Sequence, residues 1–208
     1  MTAESPPDAS RTWIELRSGA AFDLLDPTAD QVVLDDLIYA VCRIARFIGH
    51  TNANPWTVGA HSLLVADLLR RWGAPPEIVR EGLLHDIAEG IYGDIPSPVA
   101  IALDVLVDDN GLAMNPLREL RRRVDRVVRA QLSLPETESP LVKRADLVAL
   151  AIEVRDLRAS ACARHRVLPE YAPVDINIKA DEFGWSSADV EKAFRRRLAE
   201  LESTAGAS

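Results

Sequence analysis

Aliphatic residues recur at helical spacing through most of this sequence, and strand-like patterning is confined to one short N-terminal stretch. Leu37, Val41, Ile44 and Ile48 are three or four residues apart, which places them on one face of a helix. Glycine and proline separate such segments, as is typical of helix ends and helix starts. Aromatic residues make up only 5% of the chain, which favours packed aliphatic helices over a β-rich core. The pattern predicts an all-α fold.

The predicted elements begin with an extended arm or hairpin over residues 13–24, closed by Asp26-Pro27. Thr57 is the expected cap of the second helix, and Ser186 with Asp189 forms a capping pair for the last helix. We expect seven helices. Five have predicted bounds, at about 33–49, from Thr57 to Gly73, and at about 77–89, 116–134 and 140–165. Two more begin at residues 97 and 187.

A length of 208 residues is compatible with one hydrophobic core. We expect a single domain over residues 12–203, a helical bundle with the N-terminal hairpin, between disordered tails at 1–11 and 204–208. Cys42 and Cys162 lie on apolar helical patterns without CxxC spacing, which is typical of buried thiols in a reducing compartment. No signal-like segment and no run of 18 apolar residues occurs. The expectation is a soluble, cytoplasmic protein without a membrane partner.

Charge limits the classes of ligand. The 32 acidic and 24 basic residues give a net charge of -8, so the average field repels a nucleic-acid backbone. The basic run Arg121 to Arg123 is flanked by Glu119 and Asp125 and is interpreted as a solvated helix face. A long nucleic acid is therefore not expected as a partner. A small phosphorylated ligand stays open, because a metal ion and a few local cations can reverse the field inside a cleft.

The most informative cluster is His85-Asp86, with His61 twenty-four residues earlier and Asp146 sixty residues later. Adjacent helix residues point about 100 degrees apart, so they ligate one ion only when it lies at the helix edge between them. Imidazole and carboxylate together suit Mn, Fe, Co, Zn or Mg rather than a thiolate-selected metal. The chain has four histidines in all, which favours one divalent ion over a two-metal site.

The ordered motifs Ala60-His61-Ser62, Leu84-His85-Asp86 and Lys143-Arg144-Ala145-Asp146 resemble the HD-domain metal-dependent phosphohydrolases over roughly residues 12 to 160. Within that superfamily the chain is most similar to the small 5'-deoxynucleotidases and the phage deoxyadenosine triphosphate hydrolases. This closer resemblance rests on Arg46-Phe47 fifteen residues before His61, on Glu89-Gly90, and on the run Gly93-Asp94-Ile95-Pro96. It implies that His61, His85, Asp86 and Asp146 bind the metal ion.

The resemblance also implies roles for other residues. Glu89 is four residues after His85 and hence on the same face of the predicted helix, and it is expected to orient the attacking water or protonate the leaving oxygen. Arg46 is expected to clamp a phosphate, Asp94 to accept a hydrogen bond from a sugar hydroxyl, and Phe47 replaces the tryptophan that the nucleotidases place against sugar or base. His50 and Lys143 are further candidates for phosphate contacts.

The implied function is removal of phosphate from 2'-deoxynucleoside 5'-phosphates, first of all 5'-monophosphates, by attack of metal-bound hydroxide. The first alternative is hydrolysis of deoxynucleoside triphosphates. The second alternative is a metal-binding nucleotide sensor without turnover. Alarmone or cyclic-nucleotide hydrolysis is disfavoured, because Glu89 stands where a lysine is usual in the cyclic-dinucleotide phosphodiesterases. The resembling enzymes form dimers or larger rings, so a homo-oligomer is expected.

Overall fold

The computed structural model of the protein describes residues 9–52, 55–109, 115–157, 179–180 and 185–205. Within these ranges it has eight α-helices and one two-stranded sheet, which confirms the predicted all-α fold with its N-terminal hairpin. The helices are α1 (Leu34–Val41), α2 (Val58–Arg71), α3 (Pro76–Leu84), α4 (Glu89–Tyr92), α5 (Ser97–Asp109), α6 (Pro116–Gln131), α7 (Pro140–Leu157) and α8 (Ser187–Ala205). No single helix in the described part of the chain has both the length and the apolar composition that a membrane crossing needs.

The hairpin consists of β1 (Trp13–Glu15) and β2 (Ala21–Asp23), which pair antiparallel with Ile14 opposite Phe22. Gly19 adopts a φ of 86° in the turn between them, a conformation that glycine reaches without steric cost. The Phe22 side chain is fully buried in the hydrophobic core. Phe22 therefore anchors the hairpin to the helices, together with Leu16 and Ile14, which also contact the core.

Helix α2 is the central element and contacts α1, α3, α7 and α8. Every residue from Val58 to Leu69 is buried, as expected for a helix that other elements cover on all sides. Thr57 caps it as predicted, because its hydroxyl accepts a hydrogen bond from the Ala60 backbone N–H at 3.2 Å. The packing of α2 thus holds His61 in the interior of the protein.

Helices α2 and α3 approach closely at Gly82. A Cβ atom at this position would lie only 2.2 Å from Leu69 Cδ1 on α2. The absence of a side chain therefore sets the distance between the helix that carries His61 and the helix that precedes His85.

Helix α3 is shorter than predicted, because it ends at Leu84 rather than near Glu89. The backbone N–H groups of Ile87 and Glu89 donate to carbonyls three residues back, on Leu84 and Asp86, which is tighter than α-helical bonding. The apolar spacing continues through this turn, so the sequence pattern does not reveal the break. The expectation that His85 and Glu89 share one helix face is therefore wrong: Glu89 begins α4.

The first helix is also shorter than predicted, because α1 ends at Val41 and not near Gly49. Arg46 lies instead in a short 3-10 segment, Arg46–Gly49, whose Phe47 and Ile48 have left-handed φ values of 56° and 55°. The Arg46 backbone N–H donates to the Trp56 carbonyl at 2.8 Å, so the segment is tied to the chain that leads into α2. This bend turns residues 46–50 towards the cleft described below.

The later helices begin where predicted. Helix α6 starts at Pro116 after the Asn115 cap, α7 starts at Pro140, and Ser186 caps α8 through its contacts with Asp189. Helix α7 is described as far as Leu157; the predicted continuation to residue 165, which includes Cys162, lies outside the described residues. Cys42 is buried, as the sequence predicted.

Helix α5 differs from its neighbours in exposing apolar side chains. Ile101 is 60% exposed, Leu106 55% and Val105 52%. The start of α5, with Ser97 and Pro98, lines one wall of the cleft at the candidate site. A chain in water rarely leaves so much apolar surface together on one short helix unless another surface covers it.

Candidate metal centre and cleft

His61 is fully buried on α2, and its two ring nitrogens face different partners. Nδ1 lies 2.6 Å from Glu153 Oε1, and Nε2 lies 3.2 Å from Asp146 Oδ1 and 3.7 Å from Asp86 Oδ2. A carboxylate at Nδ1 holds the proton on that nitrogen. The lone pair of Nε2 is then directed towards Asp86 and Asp146.

His85 follows α3 directly and is oriented by the backbone. Its Nδ1 donates to the Gly82 carbonyl at 2.8 Å, while its Nε2 lies 3.1 Å from Asp86 Oδ2. The ring centroids of His61 and His85 are 5.3 Å apart. Both imidazoles therefore present Nε2 to the same carboxylate from two different elements.

Asp146, on α7, completes the cluster predicted from the sequence. Its Oδ1 faces His61, and its Oδ2 accepts a hydrogen bond from Lys143 at 2.8 Å. Helices α2 and α7 and the end of α3 thus bring the four predicted ligands together. Both Nε2 atoms, of His61 and His85, are buried without a hydrogen-bond partner in the described part of the chain.

This donor set fits a metal ion. One potential ligand atom from each of His61, His85 and Asp86 lies within 4.8 Å of the others, so the three could hold one ion. Two imidazoles and carboxylates are ordinary ligands for Zn, Mn, Fe and Co. Two buried acceptor atoms without a donor are costly unless a cation or a proton occupies the space between them.

The electrostatics of the cluster favour a cation. Burial alone would lower the pKa of His85, but the negative charge of Asp86, 3.1 Å from Nε2, outweighs burial and raises the pKa to about 10. For Asp86, burial is opposed by the charge of His85, and the net effect lowers its pKa. The carboxylates therefore stabilise positive charge at the imidazoles, which a divalent ion supplies without protons.

Glu153 is a site residue that was not predicted from the sequence. It is fully buried on α7, seven residues after Asp146 and hence on the same helix face. Its Oε1 accepts from Trp56 Nε1 at 2.8 Å as well as from His61, and its Oε2 lies 3.2 Å from Arg46 Nη2. A carboxylate behind a ligating histidine fixes its tautomer and ring orientation. The one signal in the sequence was the spacing of seven residues from Asp146. This spacing alone does not distinguish Glu153 from other glutamates on helices.

Arg46 points inward rather than standing free at the surface. Its side chain is 11% exposed, and its Nη1 lies 3.7 Å from Asp86 Oδ2 while Nη2 contacts Glu153. Burial opposes its charge, yet the negative charges of Glu153 and Asp86 raise its pKa further. The guanidinium is therefore a fixed positive charge beside the cluster.

Glu89 is buried at the start of α4, and its Oε1 lies 3.5 Å from Arg121 Nη2. Burial raises the pKa of its carboxyl to about 9, and the negative charges of Asp86 and Asp94 contribute to the rise. Such a carboxyl is protonated at neutral pH and is able to donate a proton. The interpretation of Arg121 to Arg123 as a solvated helix face therefore does not hold for Arg121, which faces this site.

A cleft of about 690 Å³ opens beside the cluster. We call it the Arg46 cleft, after the buried cation on its wall. The cleft is lined by all five predicted substrate-binding residues and by three of the predicted acidic site residues, namely Arg46, Phe47, His50, Asp94, Lys143, Asp86, Glu89 and Asp146. The structure therefore brings together residues that are up to one hundred positions apart in the sequence.

Two of the predicted substrate-binding residues differ in how they are held. Asp94 accepts a hydrogen bond from the Phe47 backbone N–H, so it supports the left-handed bend at Phe47. Burial raises the pKa of Asp94, against the opposing charge of Arg46. His50 is exposed at the rim of the cleft.

No model of a protein family matches the chain. The chain is 32% identical over 146 residues to the Uncharacterized protein YfdR of Escherichia coli (strain K12), an alignment that covers 70% of this chain and 72% of YfdR. It is also 32% identical over 150 residues to the Uncharacterized protein RCAP_rcc00048 of Rhodobacter capsulatus, with 70% of each chain covered. Identity at this level over most of both chains indicates common ancestry, and the protein therefore belongs to the same family as YfdR.

Proposed function

We propose that this protein is a metal-dependent phosphohydrolase of the HD superfamily that removes phosphate from 2'-deoxynucleoside 5'-phosphates. The observation that carries the proposal is the pair of buried Nε2 atoms, of His61 and His85, that face Asp86 and Asp146 without a hydrogen-bond partner of their own in the described residues. The resemblance of the ordered motifs to HD phosphohydrolases supports the same reaction. Deoxynucleoside 5'-monophosphates are the first candidates, and triphosphates are the alternative.

The four residues His61, His85, Asp86 and Asp146 would hold one divalent ion, of Mn, Co, Zn, Fe or Mg. When bound, such an ion would supply hydroxide at neutral pH, because a divalent ion can lower the pKa of water from 15.7 to about 7. Glu153 keeps the His61 ring in the orientation that presents Nε2.

Glu89 is the proposed proton donor to the leaving oxygen. Its burial and its raised pKa keep a proton on the carboxyl at neutral pH. A cation at Asp86 would remove one cause of that rise and bring the pKa of Glu89 closer to neutrality, the range in which proton transfer is most effective.

The Arg46 cleft supplies the groups that a nucleotide requires. Arg46 and Lys143 are cations beside the cluster, and His50 lies at the rim. Asp94 offers carboxylate oxygens for a sugar hydroxyl, and Phe47 offers a ring for the sugar or base. A volume of about 690 Å³ is within the usual range for a small-molecule site.

The deciding experiment is phosphate release from a panel of ribo- and deoxynucleoside mono-, di- and triphosphates. Metal-stripped protein is supplied separately with Mn, Co, Mg and Zn, and the Glu89→Ala variant is measured in parallel. We expect metal-dependent release from deoxynucleotides, and loss of turnover with retained binding in the variant. Metal and nucleotide binding without any release would instead favour the sensor.

We further propose that the protein works as a homo-oligomer in the cytoplasm, with a small nucleotide as its ligand. The apolar exposed face of α5 supports the oligomer, because a second copy would remove Ile101, Val105 and Leu106 from water. The net charge of -8 supports a small ligand over a long nucleic acid.

A further inference from the structure

A second cleft, of about 720 Å³, lies on the α6 side of the cluster. We call it the α6 cleft. Among the described residues, only Asp86 and Arg121 line both this cleft and the Arg46 cleft, so these two residues form the boundary between them. Arg121 therefore lies where the α6 cleft meets the Arg46 cleft, beside Asp86 of the candidate metal centre.

Most arginines of α6 are already engaged with nearby carboxylates. Arg118 contacts Asp104 at 2.7 Å, Arg122 contacts Glu119 at 2.7 Å, and Arg129 contacts Glu81 at 3.0 Å. These distances are those of close, charge-assisted hydrogen bonds. These three positive charges are compensated within the protein.

Arg121 differs from them. Its nearest carboxylate oxygen in the described residues is Glu89 Oε1 at 3.5 Å, well beyond the usual 2.7–2.9 Å of a charge-assisted hydrogen bond. The guanidinium lies over the Tyr92 ring at 5.1 Å, and the Tyr92 hydroxyl donates to Asp125 at 2.8 Å. Arg121 is thus held on a fixed ring beside the cluster, without a close ion pair to any carboxylate that the structure describes.

We propose that Arg121 and the α6 cleft form an anion subsite that binds a phosphate group on the far side of Asp86 from Arg46. The planar guanidinium matches phosphate oxygens in a bidentate arrangement. The inference rests on the proposed function in one respect: several carboxylates, among them Asp86, line the cleft and repel an anion, so phosphate binding depends on a cation at the candidate metal centre. The bound group is either released inorganic phosphate or a further phosphate of a substrate, and both have the same chemistry.

The test is calorimetric titration of the metal-loaded protein with inorganic phosphate and with tripolyphosphate. Arg121→Gln is compared with Arg123→Gln, because Arg123 lies on the same helix, contacts Glu119 and the Leu25 carbonyl, and does not line the cleft. We expect the affinity for tripolyphosphate to fall about 10-fold or more in Arg121→Gln, as for the loss of a hydrogen bond to a charged group, and to be unchanged in Arg123→Gln. Arg121→Lys should recover part of the loss.

The comparison between the two anions identifies the group that is bound. Equal losses for phosphate and tripolyphosphate indicate released phosphate, whereas a loss for tripolyphosphate alone indicates a further phosphate of the substrate. Equal affinity of the Arg121→Gln and Arg123→Gln variants for both anions would overturn the subsite. If Arg121→Gln loses affinity while no nucleotide is hydrolysed, the subsite stands and the proposed reaction fails. If nucleotides are hydrolysed and Arg121→Gln binds both anions normally, the reaction stands and the subsite fails.

Discussion

Replacing Glu153 with Gln tests whether the buried carboxylate positions His61, a proposed metal ligand. Glu153 accepts from His61 and Trp56 at one oxygen and contacts Arg46 at the other. A glutamine has a single oxygen, so its amide N–H₂ must face either the His61 and Trp56 donors or the Arg46 donor. The first orientation opposes two buried donors and allows the His61 ring to turn or to change tautomer, whereas the second opposes the Arg46 donor and removes the negative charge behind the His61 ring.

The size of the effect follows from these contacts. Loss of a carboxylate behind a ligating histidine typically lowers metal affinity about 10- to 100-fold, or about 1.4–2.8 kcal/mol. Breaking a buried ion pair costs roughly 3–5 kcal/mol of folding free energy. For Glu153→Gln we expect a loss of folding free energy at the lower end of this range, because Arg46 keeps a second carboxylate, that of Asp86, at 3.7 Å.

The assay combines two readouts, metal affinity by competition with a chelator and the free energy of unfolding by urea titration of the metal-free protein. Trp56→Phe is the control, because it removes one donor to Glu153 and leaves the His61 contact intact. We expect both variants to lose stability and only Glu153→Gln to lose metal affinity. An unchanged metal affinity in Glu153→Gln, with the expected loss of stability, would refute the positioning role.

Three further predictions concern the cluster and the surface. Asp86→Asn should abolish stoichiometric Mn binding by equilibrium dialysis while the circular dichroism spectrum stays helical, since Asp86 approaches both imidazoles; retained stoichiometric binding would exclude Asp86 as a ligand. In the metal-free protein, Glu89 and His85 have pKa values raised to about 9 and about 10, so the folded state binds more protons than the unfolded chain. Thermal stability should therefore fall from pH 7 to pH 9.5, and a rise over that range would contradict the raised pKa values of Glu89 and His85. Ile101→Glu on α5 should convert an oligomer to a monomer by light scattering, whereas an unchanged mass would show that α5 is not the interface.

Local signals in the sequence were sufficient for much of the fold. The Thr57 cap, the proline starts of α6 and α7 and the hairpin around Gly19 each depend on neighbouring residues, and each is found as predicted. The ends of the first and third helices were not found as predicted, because apolar spacing continues past both. Residues 42–49 keep helical spacing of apolar side chains, but the Arg46 backbone bonds to Trp56, and this contact is invisible in the local pattern.

The same distinction applies to the candidate site. The four predicted metal ligands were recognisable from residue type and order, and they do come together. Glu153 and Arg121 were not recognisable, because their contacts join helices far apart in the chain and their residue types are common on solvated helix faces. Burial, which only the three-dimensional packing reveals, separates Glu153 from an ordinary surface glutamate.

Gly82 links helix packing to ligand orientation, since its missing side chain admits Leu69 and its carbonyl holds His85 Nδ1. Alanine at this position would force either the Leu69 side chain or the α3 backbone to move, and a shift of the backbone would displace the carbonyl together with the ring that it orients. Such a variant carries no change at any ligand, yet its defect would be observed as weakened metal binding. Mutational screens for metal loss should therefore recover this small residue alongside the histidines, and sequence comparisons restricted to ligand positions would overlook it.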